Sequence, residues 1–265
     1  MLQSSKDLIT YKAKASNGEI VGRVRDLLFD DASWTVRYLV VDTGSWLVGR
    51  KTLVAISQCW EPDTESKSLQ VNLSKEQIEN GPSLDEHAPV SRQFEIEFAR
   101  HFQLVPYWGG LTGPVISPAL VQPVAAQVPE NEGDPSLRSM SEVMGYSISA
   151  QDENFGEVEE LVVDDIGWII RYLVVDTRKW LPSPKVLIAP EWALKVSRAE
   201  RAVSIDLTKS EIRSAPDYDR DSLLLRDYED ALHRHYGREG YWESKARAER
   251  IEETSNASVI HPEAP

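Results

Sequence analysis

The chain is poor in the groups that most often carry chemistry. It has a single cysteine, Cys59, so no disulfide forms within one chain and no thiolate cluster holds a metal. No histidine or basic cluster stands beside Cys59 to lower its pKa, which fits a small buried apolar residue better than a nucleophile. The 5 histidines do not fall at metal-ligand spacings: His233 and His235 are two apart on an expected helix and face different directions. No apolar run approaches the ~18 residues that span a bilayer. The start, Met1 to Asp7, lacks the basic and apolar regions of a secretory signal, so a cytoplasmic location is expected. Basic residues are in deficit, 29 against 43 acidic for a formal charge of −14, which disfavours nucleic acid, anionic membranes and acidic partners. G-x-G-x-x-G, Walker and G-x-S-x-G motifs are missing. No residue therefore stands behind a catalytic, cofactor-binding or metal-binding role, and a noncatalytic protein is expected.

What is present is a repeat. Arg37-Tyr-Leu-Val-Val-Asp-Thr43 recurs letter for letter as Arg171-Tyr-Leu-Val-Val-Asp-Thr177, with Trp34 and Trp168 upstream and Trp46-Leu47 and Trp180-Leu181 behind. The same offset pairs Gly22 with Gly156, Asp30-Asp31 with Asp164-Asp165, Ile78 with Ile212 and Tyr107-Trp108 with Tyr241-Trp242. Agreement over so long a stretch without an insertion is the mark of a duplication. It divides the chain into residues 1–110, a Pro-rich linker over 111–136, residues 137–242 and a charged, partly disordered tail over 243–265. Pro114, Pro118, Pro123, Pro129 and Pro135 punctuate the linker, which carries no charge before Glu130.

Within the first half, Ile9 to Ala15 and Gly22 to Phe29 read as strands joined at Asn17-Gly18, a type I′ hairpin signal. The apolar alternation of the second slips once, which predicts a bulge. Trp34 to Asp42, with an apolar centre from Tyr38 to Val41, reads as a strand covered on both sides and the spine of the unit. Thr52 to Ile56 and the alternating Leu69, Val71 and Leu73 add two more strands. Ser74-Lys-Glu-Gln77 is a capping box that reappears as Thr208 to Glu211. Ser91 to Phe102 has a helical pattern whose stripe, Phe94, Phe98 and Phe102, needs a surface to cover. Asp221 to Tyr236 is its counterpart, with Tyr or Leu replacing the phenylalanines. The expected class is mainly β: two homologous units, each a small antiparallel β-barrel or sandwich with an appended C-terminal helix, of which the resemblance that follows implies the barrel.

Those features resemble the PRC-barrel domain, the small barrel of the photosynthetic reaction centre H subunit's cytoplasmic part and of a ribosome maturation factor. The resemblance rests on the hairpin reaching Gly22 and Gly156, the Asp-Asp turns, the two Trp-flanked blocks, Pro89-Val-Ser-Arg-Gln93 and Tyr107-Trp108-Gly109. It implies a docking or assembly module acting on a protein partner, as a homo-oligomer or an intramolecular pseudo-dimer. An H-subunit-like role in electron and proton transfer, and a small-ligand binder or enzyme, are the rival readings. The residues offered as partner anchors are Trp46 and Trp180, with Arg178 and Lys179 beside the latter, because exposed aromatic and Arg residues dominate interface energetics. For Asp30-Asp31 and Asp164-Asp165, local turn bonding is preferred to cation binding. Arg37 and Asp42 are five apart, point to opposite faces of one strand, and are expected to seek partners elsewhere.

Overall fold

A computed structural model describes residues 1–47, 50–84, 90–108, 136–177, 185–219 and 226–243. The linker over 111–135, the tail beyond 243, and Arg178, Lys179 and Trp180 lie outside the described residues. The first half begins with β1 (Leu2–Ser4) and a one-turn helix α1 (Ser5–Leu8), followed by β2 (Lys12–Lys14), β3 (Ile20–Asp30), β4 (Thr35–Asp42), β5 (Lys51–Ala55) and β6 (Ser68–Gln70). Helices α2 (Lys75–Asn80) and α3 (Arg92–His101) complete it. The second half repeats the order with β7 (Leu137–Ser139), α4 (Met140–Val143), β8 (Ser147–Ser149), β9 (Asn154–Asp164), β10 (Ile169–Asp176) and β11 (Lys185–Ile188). A hairpin of β12 (Ala193–Ser197) and β13 (Ala202–Ile205) precedes α5 (Lys209–Arg213) and α6 (Arg226–His235). Among the described residues no helix is long and apolar enough to cross a membrane.

The protein is mainly β, and its strands form one curled sheet that runs through both halves. The curl has a local cause. The β3–β4 ladder shifts register between Val24 and Asp26 and again between Leu28 and Phe29, so the strand bends twice where the sequence pattern predicts one slip. The β9–β10 ladder is likewise broken in two places. Not every pair is antiparallel, as the pattern suggested: β2 runs parallel to β6, and β8 to β13. In each half the chain goes out through the long hairpin and comes back beside β2 or β8 from the same end, which makes that closing ladder parallel.

The first strand is shorter than expected. Ile9 to Tyr11 leave α1 as a turn, and only Lys12–Lys14 pair. The hairpin behind it is not type I′, which needs two residues with positive φ; in Asn17-Gly18 only Gly18 has it, at 83°. The second hairpin, from Ala150 to Glu153, is one residue tighter. Ahead of the hairpins the correspondence between the halves therefore slips by one, and Tyr11 matches Tyr146.

Both capping boxes are present, with Ser74 accepting from the Gln77 backbone and Thr208 from Glu211. Helix α3 lays its aromatic stripe on the outer face of β4 and β5. Phe98 is fully buried there, with Tyr38, Val40 and Leu53 beneath it. Burying such a ring is worth about 1.5–3 kcal/mol. The other face of β4, through Val36, Leu39 and Val41, joins a core that continues into the second half through Leu161, Ile170 and Val175. The spine strand is thus covered on both sides, as its unbroken apolar centre requires.

Candidate functional site

The two halves exchange their first strands. Strand β1 pairs not with its own half but with β9, Leu2 opposite Asp164 and Ser4 opposite Val162. Strand β7 does the reverse, setting Leu137 opposite Asp30 and Ser139 opposite Leu28. Between the two arms, the turns before β4 and β10 touch: the Trp168 carbonyl accepts from Val36 N–H and the Trp34 carbonyl from Ile170 N–H, both at 2.8 Å. Trp34 and Trp168 hold φ near 52° and 53°, a left-handed conformation unusual for a bulky residue. Such geometry persists only where surroundings over-determine it, and here each turn holds the other.

Each arm docks on an acid. Ser4 Oγ donates to the Glu160 carboxylate, which is buried, and Gln3 Nε2 donates to Asp165 at 3.1 Å. In the mirror position Asp26 accepts from the Ser139 hydroxyl, from Ser141 N–H at 3.0 Å and from Ser141 Oγ at 2.9 Å. Burial raises the Asp26 pKa, against the pull of these donors. The Asp-Asp turns are occupied in the same way. Asp30 accepts from Ala32 N–H at 2.9 Å and Arg37 at 3.3 Å, while Asp31 meets Arg138 of the other half's arm at 2.8 Å. Asp164 takes Arg171 at 3.1 Å, and Asp165 takes the amino terminus. The turn reading holds for the first acid of each pair; the second acids serve the junction. Asp42 pairs with Arg25 across the β3–β4 ladder at 3.1 Å, so Arg37 and Asp42 do find separate partners. Among the described residues no group of three or more His, Cys, Asp or Glu is disposed to hold a metal ion.

A second polar cluster lies between β10 and α6. Glu229, buried in the helix, accepts from Tyr172 Oη at 2.9 Å and from Tyr241 Oη at 3.0 Å, and pairs with Arg226 at 2.9 Å. The guanidinium of Arg171 lies 3.8 Å from the centre of the Tyr241 ring, and that of Arg226 lies 4.2 Å from Trp242. The first half builds the same set from Tyr38, Arg92, Glu95, Tyr107 and Trp108, with Arg37 4.2 Å from the Tyr107 ring centre. Burial and the neighbouring glutamate push the Tyr38 and Tyr172 hydroxyls far up, so both remain protonated donors. This cluster was missed in the sequence. The signal was there, in Arg-x-x-Glu and Tyr-Trp recurring at the common offset.

The halves differ at one member. His233 in the second stands where Ala99 stands in the first. It is buried against Trp192, Tyr172 and Trp242. The Glu239 carbonyl, 3.0 Å away, places a proton on Nδ1 and leaves Nε2 unprotonated 3.2 Å from Tyr172 Oη, whose single proton goes to the Glu229 carboxylate. Burial lowers the His233 pKa below 6.5, against the pull of the Glu239 carbonyl and of Glu191, Glu229 and Glu243. Below pH ~6.5 the unfolded chain then binds a proton that the folded one refuses, so this stabilising contribution falls as pH drops through that window. Urea unfolding at pH 7.5, 6.5 and 5.5 should show wild type losing more stability on the acid side than His233→Leu. Parallel pH profiles would mean that His233 does not titrate there.

Above this cluster opens a cleft of ≈ 470 Å³, walled by Ala32, Ser33 and Trp34 of the first half and by Ile169, Arg171 and Pro190 of the second. His233 and Tyr241 form part of its floor and Glu191 stands exposed at its edge. Of the proposed anchor residues, Trp46 belongs to the 3-10 turn Gly44–Leu47, while Trp180, Arg178 and Lys179 are outside the described residues. The PRC-barrel domain family model matches residues 3–78, the span from β1 to α2. No curated protein matches the chain.

Proposed function

We propose that the chain is a noncatalytic assembly module in which two barrel units of the PRC type form an intramolecular pseudo-dimer that a protein partner recognises. The reciprocal seating of β1 on β9 and β7 on β3 carries this reading, since it is how two like subunits join about a two-fold axis. The interior supports it as well. Val24, Leu27, Leu161 and Val175 are buried in a continuous apolar core, which suits a scaffold better than a ligand-filled barrel. The partner anchors proposed are Trp46 and Trp180, with Arg178 and Lys179. Affinity capture from native lysate tests this, comparing wild type with Trp46→Ala/Trp180→Ala. A partner retained by wild type and reduced at least tenfold with the variant is expected, and equal recovery by both would overturn the assignment of these anchors.

A further inference from the structure

The cleft between the halves has the chemistry of a binding site for a small molecule. Its ≈ 470 Å³ lies within the ~300–1,000 Å³ range of small-ligand pockets. One wall is rigid and aromatic. The Trp34 ring is stacked on Phe29 with centroids 5.4 Å apart, which fixes it while it lines the cleft. Ile169 and Pro190 continue the apolar lining. One cation stands among these groups, and it has donor capacity to spare. Arg171 is largely buried, and its Nη2 bonds Asp164. In the first half the equivalent Arg37 also bonds the Ser33 hydroxyl at 3.0 Å, whereas Gly167 occupies the Ser33 position beside Arg171 and offers no oxygen. Arg171 Nη2 thus has one oxygen partner where Arg37 Nη2 has two, and an acidic oxygen entering the cleft supplies the second.

We propose that this cleft binds a small organic monoanion with a flat apolar body, the acidic oxygens on Arg171 and the body against Trp34. A single charge fits because Asp164 already offsets much of Arg171, Glu191 flanks the opening, and the chain as a whole carries −14. Both halves contribute walls, so the site exists only while they are docked and the ligand would stabilise that docking. It does not depend on any protein partner and can fail or succeed apart from one.

The full chain should be titrated with 8-anilinonaphthalene-1-sulfonate, followed by displacement with benzoate or the neutral benzyl alcohol. One saturable site per chain is expected, emptied by benzoate at concentrations where benzyl alcohol has no effect. Arg171→Gln should weaken binding at least tenfold. Should that variant fold poorly, Ala32→Ile serves instead: it narrows the opening with the residue that the other half carries, exposed, at Ile166. It too should weaken binding tenfold, with an unchanged melting temperature, while Ile166→Ala should bind as wild type does. Lack of saturable binding, equal displacement by the two competitors, or wild-type affinity in Ala32→Ile would each overturn the proposal.

Discussion

An alanine at position 22 should cost roughly 3 kcal/mol or more and lower the melting temperature by about 10 °C. The reason is a backbone contact that no side-chain rearrangement relieves. A Cβ built on Gly22 falls on the carbonyl oxygen of Asp42 and lies 2.7 Å from Val41 Cγ1. Here the start of β3 is pressed against the end of β4, and the curl of the sheet depends on that close approach. The counterpart differs in kind. Gly156 has φ +65°, so a side chain brings left-handed strain of about 1–2 kcal/mol, but its nearest obstacle, Val175 Cγ1 at 2.6 Å, belongs to a side chain able to yield. Gly44, at φ +66° with nothing within 4 Å, isolates the strain alone. Urea unfolding of the three alanine variants should rank them Gly22, Gly156, Gly44 in decreasing loss. A Gly22→Ala protein as stable as Gly44→Ala would mean that β3 and β4 do not approach so closely.

Removing residues 1–4 should damage the half to which they do not belong in sequence. The deletion strips β9 of a neighbouring strand, takes the Ser4 hydroxyl from the buried Glu160 carboxylate and takes Gln3 from Asp165. A hydrogen bond to a buried charge is worth about 1.5–3 kcal/mol, so Ser4→Ala alone should be measurable. The whole deletion should lower the melting temperature by roughly 10 °C at ~2–4 °C per kcal/mol. Hydrogen exchange locates the effect. Amides of Val163 and Asp165, which face the arm, should exchange faster by at least tenfold, and those of Val40 and Val41 in the first half much less so. Acceleration confined to the first half would show that the arm stays with its own half.

What was legible in the sequence was local. Ser74 with Gln77 and Thr208 with Glu211 lie three apart, and the Phe94, Phe98 and Phe102 stripe recurs every four residues, so propensity and periodicity reveal both. The Asn17-Gly18 turn was found but mistyped, because loop length, invisible in the dipeptide, decides which residues need positive φ. The arm escaped notice for a different reason. Leu2-Gln-Ser4 shows no apolar alternation, since it is a short strand whose serine and glutamine face acids more than 150 residues away. Glu229 with Tyr172 and Tyr241 is likewise a meeting of distant segments, and nothing within α6 marks Glu229 as buried. The two tryptophan turns showed in the sequence only as flanks of the repeat, yet they are where the halves interlock. Only coordinates could show that, because the contact is made by their backbone carbonyls.

The crossing of the arms also sets an order on biosynthesis. Leu2–Ser4 leaves the ribosome before its seat on Val162 to Asp164, which is translated some 160 residues later, on the order of ten seconds or more at ~5–20 residues per second. Throughout that interval the nascent first half displays β1 without its seat and an open edge on β3, and a chaperone or a neighbouring nascent chain on the same message has its opportunity there.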